Sequence, residues 1–291
     1  MKKSLLLIVL IISIAGAKAQ KIRVNKALQS RVEQLLKGFN GDVAVYIKDL
    51  RNNKIVSINA DTVFPTASMV KIPILIGIMD KINRGELQYH QTLTYKDSLL
   101  YAGVDLLGSF KNNETIELSK VMMLMLTMSD NTASLWLQSL AGGGKRINEI
   151  LDSLGFKVTR VNSRTAGREA NRSRYGWGQT TPREMVSLFE KIYRKEIISD
   201  SISQKMLRLM GRDYWDEAAI SQVPAGVFVA AKNGAVDESR SETLLVMAPK
   251  HPYIFSICTK NNKDKSWSDS NEAWVLARKL SSMLWQYFVK K

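Results

Sequence analysis

Ser68 and Lys71 lie three positions apart in Thr66-Ala67-Ser68-Met69-Val70-Lys71, at the head of an apolar run that continues to about Asp80. On a helix that spacing sets a hydroxyl and an amine on one face, one turn apart. An amine of lowered pKa can take the serine proton, and the positive end of a helix favours the negative charge that then develops. Taken alone, the pair reads equally as a surface helix start beside an unrelated lysine. Two further polar breaks in apolar surroundings add to it. Ser129-Asp130-Asn131 interrupts a methionine-rich apolar helical stretch, and Lys232-Asn233-Gly234 ends an apolar strand. In isolation the first is a common cap or turn and the second an ordinary turn tripeptide.

The elements that must position these groups follow from periodicity. Leu28, Val32, Leu35, Leu36 and Phe39 predict an amphipathic helix over 22–39. Val43, Val45 and Ile47 alternate in a strand over 42–49, and a polar turn leads to a second strand over 55–59. The Ser68 helix is apolar on several sides, which predicts a central, buried helix, bent slightly where Pro73 removes a backbone bond. Helices are expected over 117–126, beyond the Ser129-Asp130-Asn131 break to about Leu140, and over 147–154. Residues 162–179 are polar, arginine-rich and aperiodic, a long loop of the kind that is often functional. Thr181-Pro182-Arg183-Glu184 restarts helix, with Thr181 as cap, Pro182 in the first position and Glu184 closing a capping box. After a helix over 201–210, strands are expected over 227–231, 243–247 and 253–259, then a closing helix over 271–288. The fold class is therefore α/β (α+β): an antiparallel five-stranded sheet drawn from both chain ends and flanked by helices, plus an all-helical subdomain. Residues 20–62 and 211–291 form the discontinuous α/β part and 63–210 the helical part, with the active centre between them.

Composition removes several classes of function. The single cysteine, Cys258, rules out an internal disulfide, and two isolated histidines cannot build a usual zinc site, so no metal and no cofactor is expected. Lys2 and Lys3, an apolar run over 5–15 and Ala17-Lys18-Ala19 read as a signal peptide cleaved after Ala19. The run is short for a membrane span, which leaves no stable membrane anchor and implies an exported, periplasmic chain. The formal charge of +15 falls to about +12 once Lys2, Lys3 and Lys18 are removed. Such a field draws in anionic partners, but an exported chain without aromatic–basic motifs is not a nucleic-acid binder. A monomer is the default.

In this order and spacing, Ser68-Met69-Val70-Lys71, Ser129-Asp130-Asn131 and Lys232-Asn233-Gly234 resemble the class A β-lactamases and related penicillin-recognising serine hydrolases. Met128, Thr132, Ala133, the Gly142-Gly143 turn and Thr180-Thr181-Pro182 fit the same pattern. The resemblance covers nearly the whole mature chain. It implies a small-molecule β-lactam substrate, Ser68 as nucleophile, Lys71 as proton acceptor and Ser129 as proton donor to the leaving nitrogen. Asn131 would hold the substrate's acylamide and Lys71, and the backbone amides of Ser68 and Ala235 would form the oxyanion hole. Lys232, Asn233 and Gly234 would receive the substrate carboxylate, together with Arg240. Tyr101 would wall the entrance, or serve as an ordinary half-buried tyrosine.

Two departures stand out. Asn233 replaces the hydroxyl residue usual between the lysine and glycine of the third motif. Counting without gaps from Asn131 to Thr180, Thr165 falls where the family carries the glutamate that activates the deacylating water, and Glu169 where it carries an asparagine. No acid lies near Gly178 to pair with a loop-closing arginine. Glu169, the one acid between Ser163 and Gln179, is either a displaced base or the partner of Arg168, Arg172 or Arg174. The leading expectation is a class A type hydrolase. The alternatives are a slow-deacylating hydrolase of peptidoglycan-type peptides or esters, and a penicillin-binding sensor that stays acylated.

Overall fold

Residues 23–290 are described in the computed structural model, so the expected signal peptide at 1–19 lies outside the described residues. The central sheet runs in the order Arg23–Val24, Lys54–Ile58, Asp42–Asp49, Tyr253–Lys260, Ser239–Val246, Val229–Val236. The five long strands are antiparallel, and the chain's two ends meet where Asp42–Asp49 pairs with Tyr253–Lys260 along its whole length. The sixth strand corrects the expected count. Arg23–Val24 adds a parallel edge beside Lys54 and Ile55, and two residues are too few to show an alternation in the sequence.

Two apolar cores sit on opposite faces of this sheet. On one, Leu28, Val32 and Leu36 of the helix Lys26–Leu36 pack with Leu276, Leu280 and Leu284 of the closing helix Glu272–Val289 against Val45, Val56 and Phe255. On the other, the helix Lys71–Asn83 packs against helices Asn131–Leu140, Gly143–Ser153 and Asp200–Met210 and the turn Leu124–Met128, while helix Pro182–Tyr193 lies on the sheet. Lys71 to Met79 are buried without exception, as expected for a helix apolar on all sides. Lys48 on the sheet and Glu190 on the helix Pro182–Tyr193 are joined at 2.5 Å, both nearly buried, across the interface.

Several expectations are corrected in ways that matter for the site. Ala67–Val70 is a 3₁₀ turn and the α-helix proper begins at Lys71. Pro73 therefore falls in the first turn of the α-helix, where proline is tolerated, and not in its interior. The helix expected over 117–126 ends in a π turn, Leu124–Met128, from which Ser129 emerges with φ 59°. Lys232, Asn233 and Gly234 lie within the strand Val229–Val236, opposite Thr243, Glu242 and Ser241, rather than at its end. Strand Ser239–Val246 is buried along its whole length, so its polar first half gives no alternation and only its apolar end was legible. Residues 162–179 also contain structure: a short helix, Glu169–Tyr175, and the strand Gly178–Thr180, which pairs with Arg160–Val161 and Phe64–Pro65.

Thr181 caps its helix by accepting from Glu184 N at 3.1 Å, but Glu184 does not reach back to close the box. Its carboxylate accepts from three other backbone amides, those of Lys157, Val158 and Thr159, at 2.6 to 3.1 Å. Three donors outcompete one, and Glu184 thereby fixes the chain that leads into the 162–179 segment.

Candidate active site

Ser68 is presented by the 3₁₀ turn that precedes the buried helix, after Ala67 in the left-handed region at φ 43°. The turn is pressed against the edge strand of the sheet at Gly234. A Cβ built on Gly234 would stand 2.3 Å from Thr66 O and 2.9 Å from Ser68 N, so only glycine permits this approach. It brings the Ser68 amide next to the backbone of Gly234 and Ala235.

Lys71, fully buried, places its Nζ among four oxygens: Ser129 O at 2.7 Å, Ser68 Oγ at 2.9 Å, Ser129 Oγ at 3.0 Å and Asn131 Oδ1 at 3.1 Å. The carbonyl and the amide oxygen only accept, whereas the two hydroxyls can donate. A neutral amine satisfies this set directly, giving its two N–H groups to Ser129 O and Asn131 Oδ1 and its lone pair to the Ser68 hydroxyl proton. Burial holds the Lys71 ammonium well below the usual lysine range and the charge of Lys232 adds to this, against the opposing pull of Asp130 and Asp213.

Asp130 fixes the second motif. Its Oδ1 accepts from Ala133 N at 2.7 Å, capping the helix Asn131–Leu140, and its Oδ2 accepts from Leu106 N at 2.6 Å and Leu107 N at 3.1 Å. The carboxylate thus ties the helix start to the segment before it, leaving Ser129 and Asn131 free to face Lys71. The third motif adds Lys232, buried and ion-paired with Asp213 at 3.7 Å, with its Nζ also donating to Asn233 Oδ1 at 2.9 Å. Asn233 Nδ2 donates to Trp215 O at 3.3 Å. Asp213 and Trp215 belong to a stretch with no periodic signal and were not anticipated from the sequence.

Ser68 lies between two cavities. One, about 310 Å³, is lined by Ser129, Trp215, Asn233, Ala235 and Glu242; the other, about 590 Å³, by Tyr101, Asn131, Arg174 and Trp177. Tyr101 is edge-on to Trp177 with ring centroids 5.1 Å apart, and the pair forms an aromatic wall of the second cavity.

Two candidates are placed differently, Arg240 in the wall of the first cavity and Glu169 outside both. Arg240 is buried, stacked on Trp267 at 4.3 Å and Trp274 at 5.0 Å, and its terminal nitrogens donate to Ser239 O and Ser266 O. Its guanidinium therefore braces the segment before the closing helix instead of extending beside Lys232. Glu169 is exposed at the head of its short helix and accepts from Gly167 N at 3.1 Å. It lines neither cavity that reaches Ser68 and forms no ion pair with Arg168, Arg172 or Arg174 among the described residues. Thr165 turns inward, donating to Ser163 O at 2.8 Å and packing on Gly144, whose absent Cβ would overlap its hydroxyl. The segment is closed by Arg168, which donates to Asn162 Oδ1 at 2.9 Å and Gln179 Oε1 at 2.8 Å, side-chain amides standing in for the acid that the sequence lacks near Gly178.

The chain is similar to known proteins over most of its length. Beta-lactamase VEB-1 of Pseudomonas aeruginosa is 23% identical over 277 residues, 91% of each chain. Extended-spectrum beta-lactamase PER-1 of the same organism is 21% identical over 91% of this chain and 88% of its own. Among solved structures, a mutant of PBP-A in an acyl-enzyme complex with penicillin G superposes with a TM-score of 0.81 at 25% identity, over 92% of this chain and 98% of that one. The family model described as the beta-lactamase enzyme family matches residues 27–288, and the chain belongs to that family.

Proposed function

We propose that this protein is an exported serine hydrolase of the class A type that opens β-lactam rings through an acyl-enzyme on Ser68. The observation that carries this reading is the position of Lys71 Nζ, 2.9 Å from Ser68 Oγ and fully buried. Lys71, neutral, takes the Ser68 proton as Oγ attacks the lactam carbonyl carbon. The amides of Ser68 and Ala235 stabilise the oxyanion as it forms. The tetrahedral adduct collapses with cleavage of the lactam C–N bond. Ser129, which shares Lys71 Nζ at 3.0 Å, passes a proton to the departing nitrogen. Asn131 holds the acylamide, and Lys232 with Asn233 receives the substrate carboxylate. Similarity to PBP-A, a mutant of which forms an acyl-enzyme with penicillin G, supports the acylation half.

A second reading is favoured by one observation. The lone acid of the 162–179 segment, Glu169, is exposed and lines neither cavity at Ser68, so no carboxylate of that segment is aimed at a deacylating water. On this reading the acyl group forms quickly and leaves slowly, as in a peptidoglycan-type peptidase or a penicillin sensor. A chromogenic cephalosporin followed together with intact mass separates the two. Sustained colour with little adduct supports turnover, a single stoichiometric burst with a lasting adduct supports slow release, and neither colour nor adduct overturns both.

A further inference from the structure

Glu242 is a buried ionisable group that the acylation chemistry leaves unused. It stands opposite Asn233 in the strand register and lines the same cavity as Ser68. Its Oε2 accepts from Ala219 N at 3.0 Å, while Oε1 is buried with no partner among the described residues. An acceptor without a donor in such a place is costly. Protonation of Oε1 turns it into a donor at the wall of the cavity, where a bound molecule can supply the acceptor.

The surrounding charges are mixed. Lys232 on the neighbouring strand and Asp213 beside it act in opposite senses, and burial dominates, pushing the Glu242 carboxyl up to about 8. On its other side the strand Tyr253–Lys260 offers only Ile257, and the closing helix brings Ala273, Ala277 and Arg278. The guanidinium of Arg278 is spent on the backbone carbonyls of Glu217 and Asp269, as that of Arg240 is on Ser239 and Ser266. Arg240 Nε remains buried without a partner among the described residues, and the carboxyls of Glu217 and Asp269 line the same cavity.

We propose that Glu242 is a specificity-determining residue: in its acid form it donates from Oε1 to the carboxylate of an anionic substrate lying along Asn233, and once ionised it repels that carboxylate. The inference rests on the reading that Ser68 is acylated by carboxylate-bearing β-lactams, and it adds a pH-dependent preference to that site.

The test is the second-order rate constant for acylation of the mature protein, read by intact mass from about pH 6.5 to 9.5, with benzylpenicillin and its uncharged methyl ester. The acid-to-ester ratio should fall about tenfold across this range in the wild type, the size of one lost hydrogen bond to a charged group. In Glu242→Gln, whose amide donates at every pH, the ratio should change less than about twofold. Glu242→Thr supplies a second pH-insensitive donor if the glutamine variant does not fold. Parallel profiles in wild type and variants would assign the alkaline loss to Lys232 and overturn the proposal. So would an ester that declines as steeply as the acid. Absence of any adduct in the wild type at every pH would instead remove the acylation reading itself, and this inference with it.

Discussion

The two halves of the candidate site are built to different standards. Around Ser68, three side chains and one backbone carbonyl converge on one buried amine, and the elements that carry them are fixed in turn: Asp130 caps the helix that carries Asn131, and Gly234 admits the turn that carries Ser68. The 162–179 segment is as well tied internally, through Arg168, Asn162 and Gln179, yet the side chains at its two expected catalytic positions face elsewhere. Order alone does not make a catalytic loop. What distinguishes the regions is where their charges point: Lys71 is buried against the nucleophile, whereas Glu169 stands in solvent against its own backbone.

The comparison is broken first at the nucleophile. Ser68→Ala should lose all covalent labelling by penicillin in intact-mass spectra, and persistent labelling would refute the assignment of the centre. Lys71→Met should lower the acylation rate about a thousandfold, the usual weight of a general base. Because the Lys71 ammonium is held below its ordinary range, the neutral base is regained as pH rises through that lowered value, so wild-type acylation should climb on its acid side. The climb should vanish in the methionine variant, and its survival would mean that another group titrates.

On the loop side the effects should be smaller and of another kind. Arg168→Ala removes the bonds to Asn162 and Gln179 and should cost about 1–2 kcal/mol in chemical denaturation, with acylation changed less than about threefold. A large fall in acylation would mean that the two regions are coupled. Smallest of all, Glu169→Gln should leave the rate of acyl-enzyme breakdown within about twofold of wild type, since the side chain lies in solvent and a lone surface carboxylate contributes little. A drop of tenfold or more would return Glu169 to the mechanism.

Much of this architecture is local and was therefore legible in the chain. Helix Asn131–Leu140, the strand Asp42–Asp49 and the closing helix follow from apolar periodicity, and in the structure Asp130 and Asn271 cap the two helices. The three motifs could be read because each sets polar residues into an apolar context. Glu242 escaped notice because a strand buried on both faces shows no alternation, and Glu184 was assigned to its own helix although its three amide donors lie some 25 residues earlier. Direction is what these cases share: residue type and spacing say which groups stand near one another along the chain, but not which way a side chain turns once distant strands and turns compete for it.

By itself, then, the sequence determined the longer elements, the fold class and which three polar motifs to look for, because propensity, capping and helical spacing act over a few residues. Only the tertiary structure decided that Lys71 is dry, that Arg240 is sandwiched between Trp267 and Trp274, and that Glu169 faces away from the cleft. Burial and hydrogen-bond competition across the fold set a side chain's charge and direction, and those exist only after distant segments have packed.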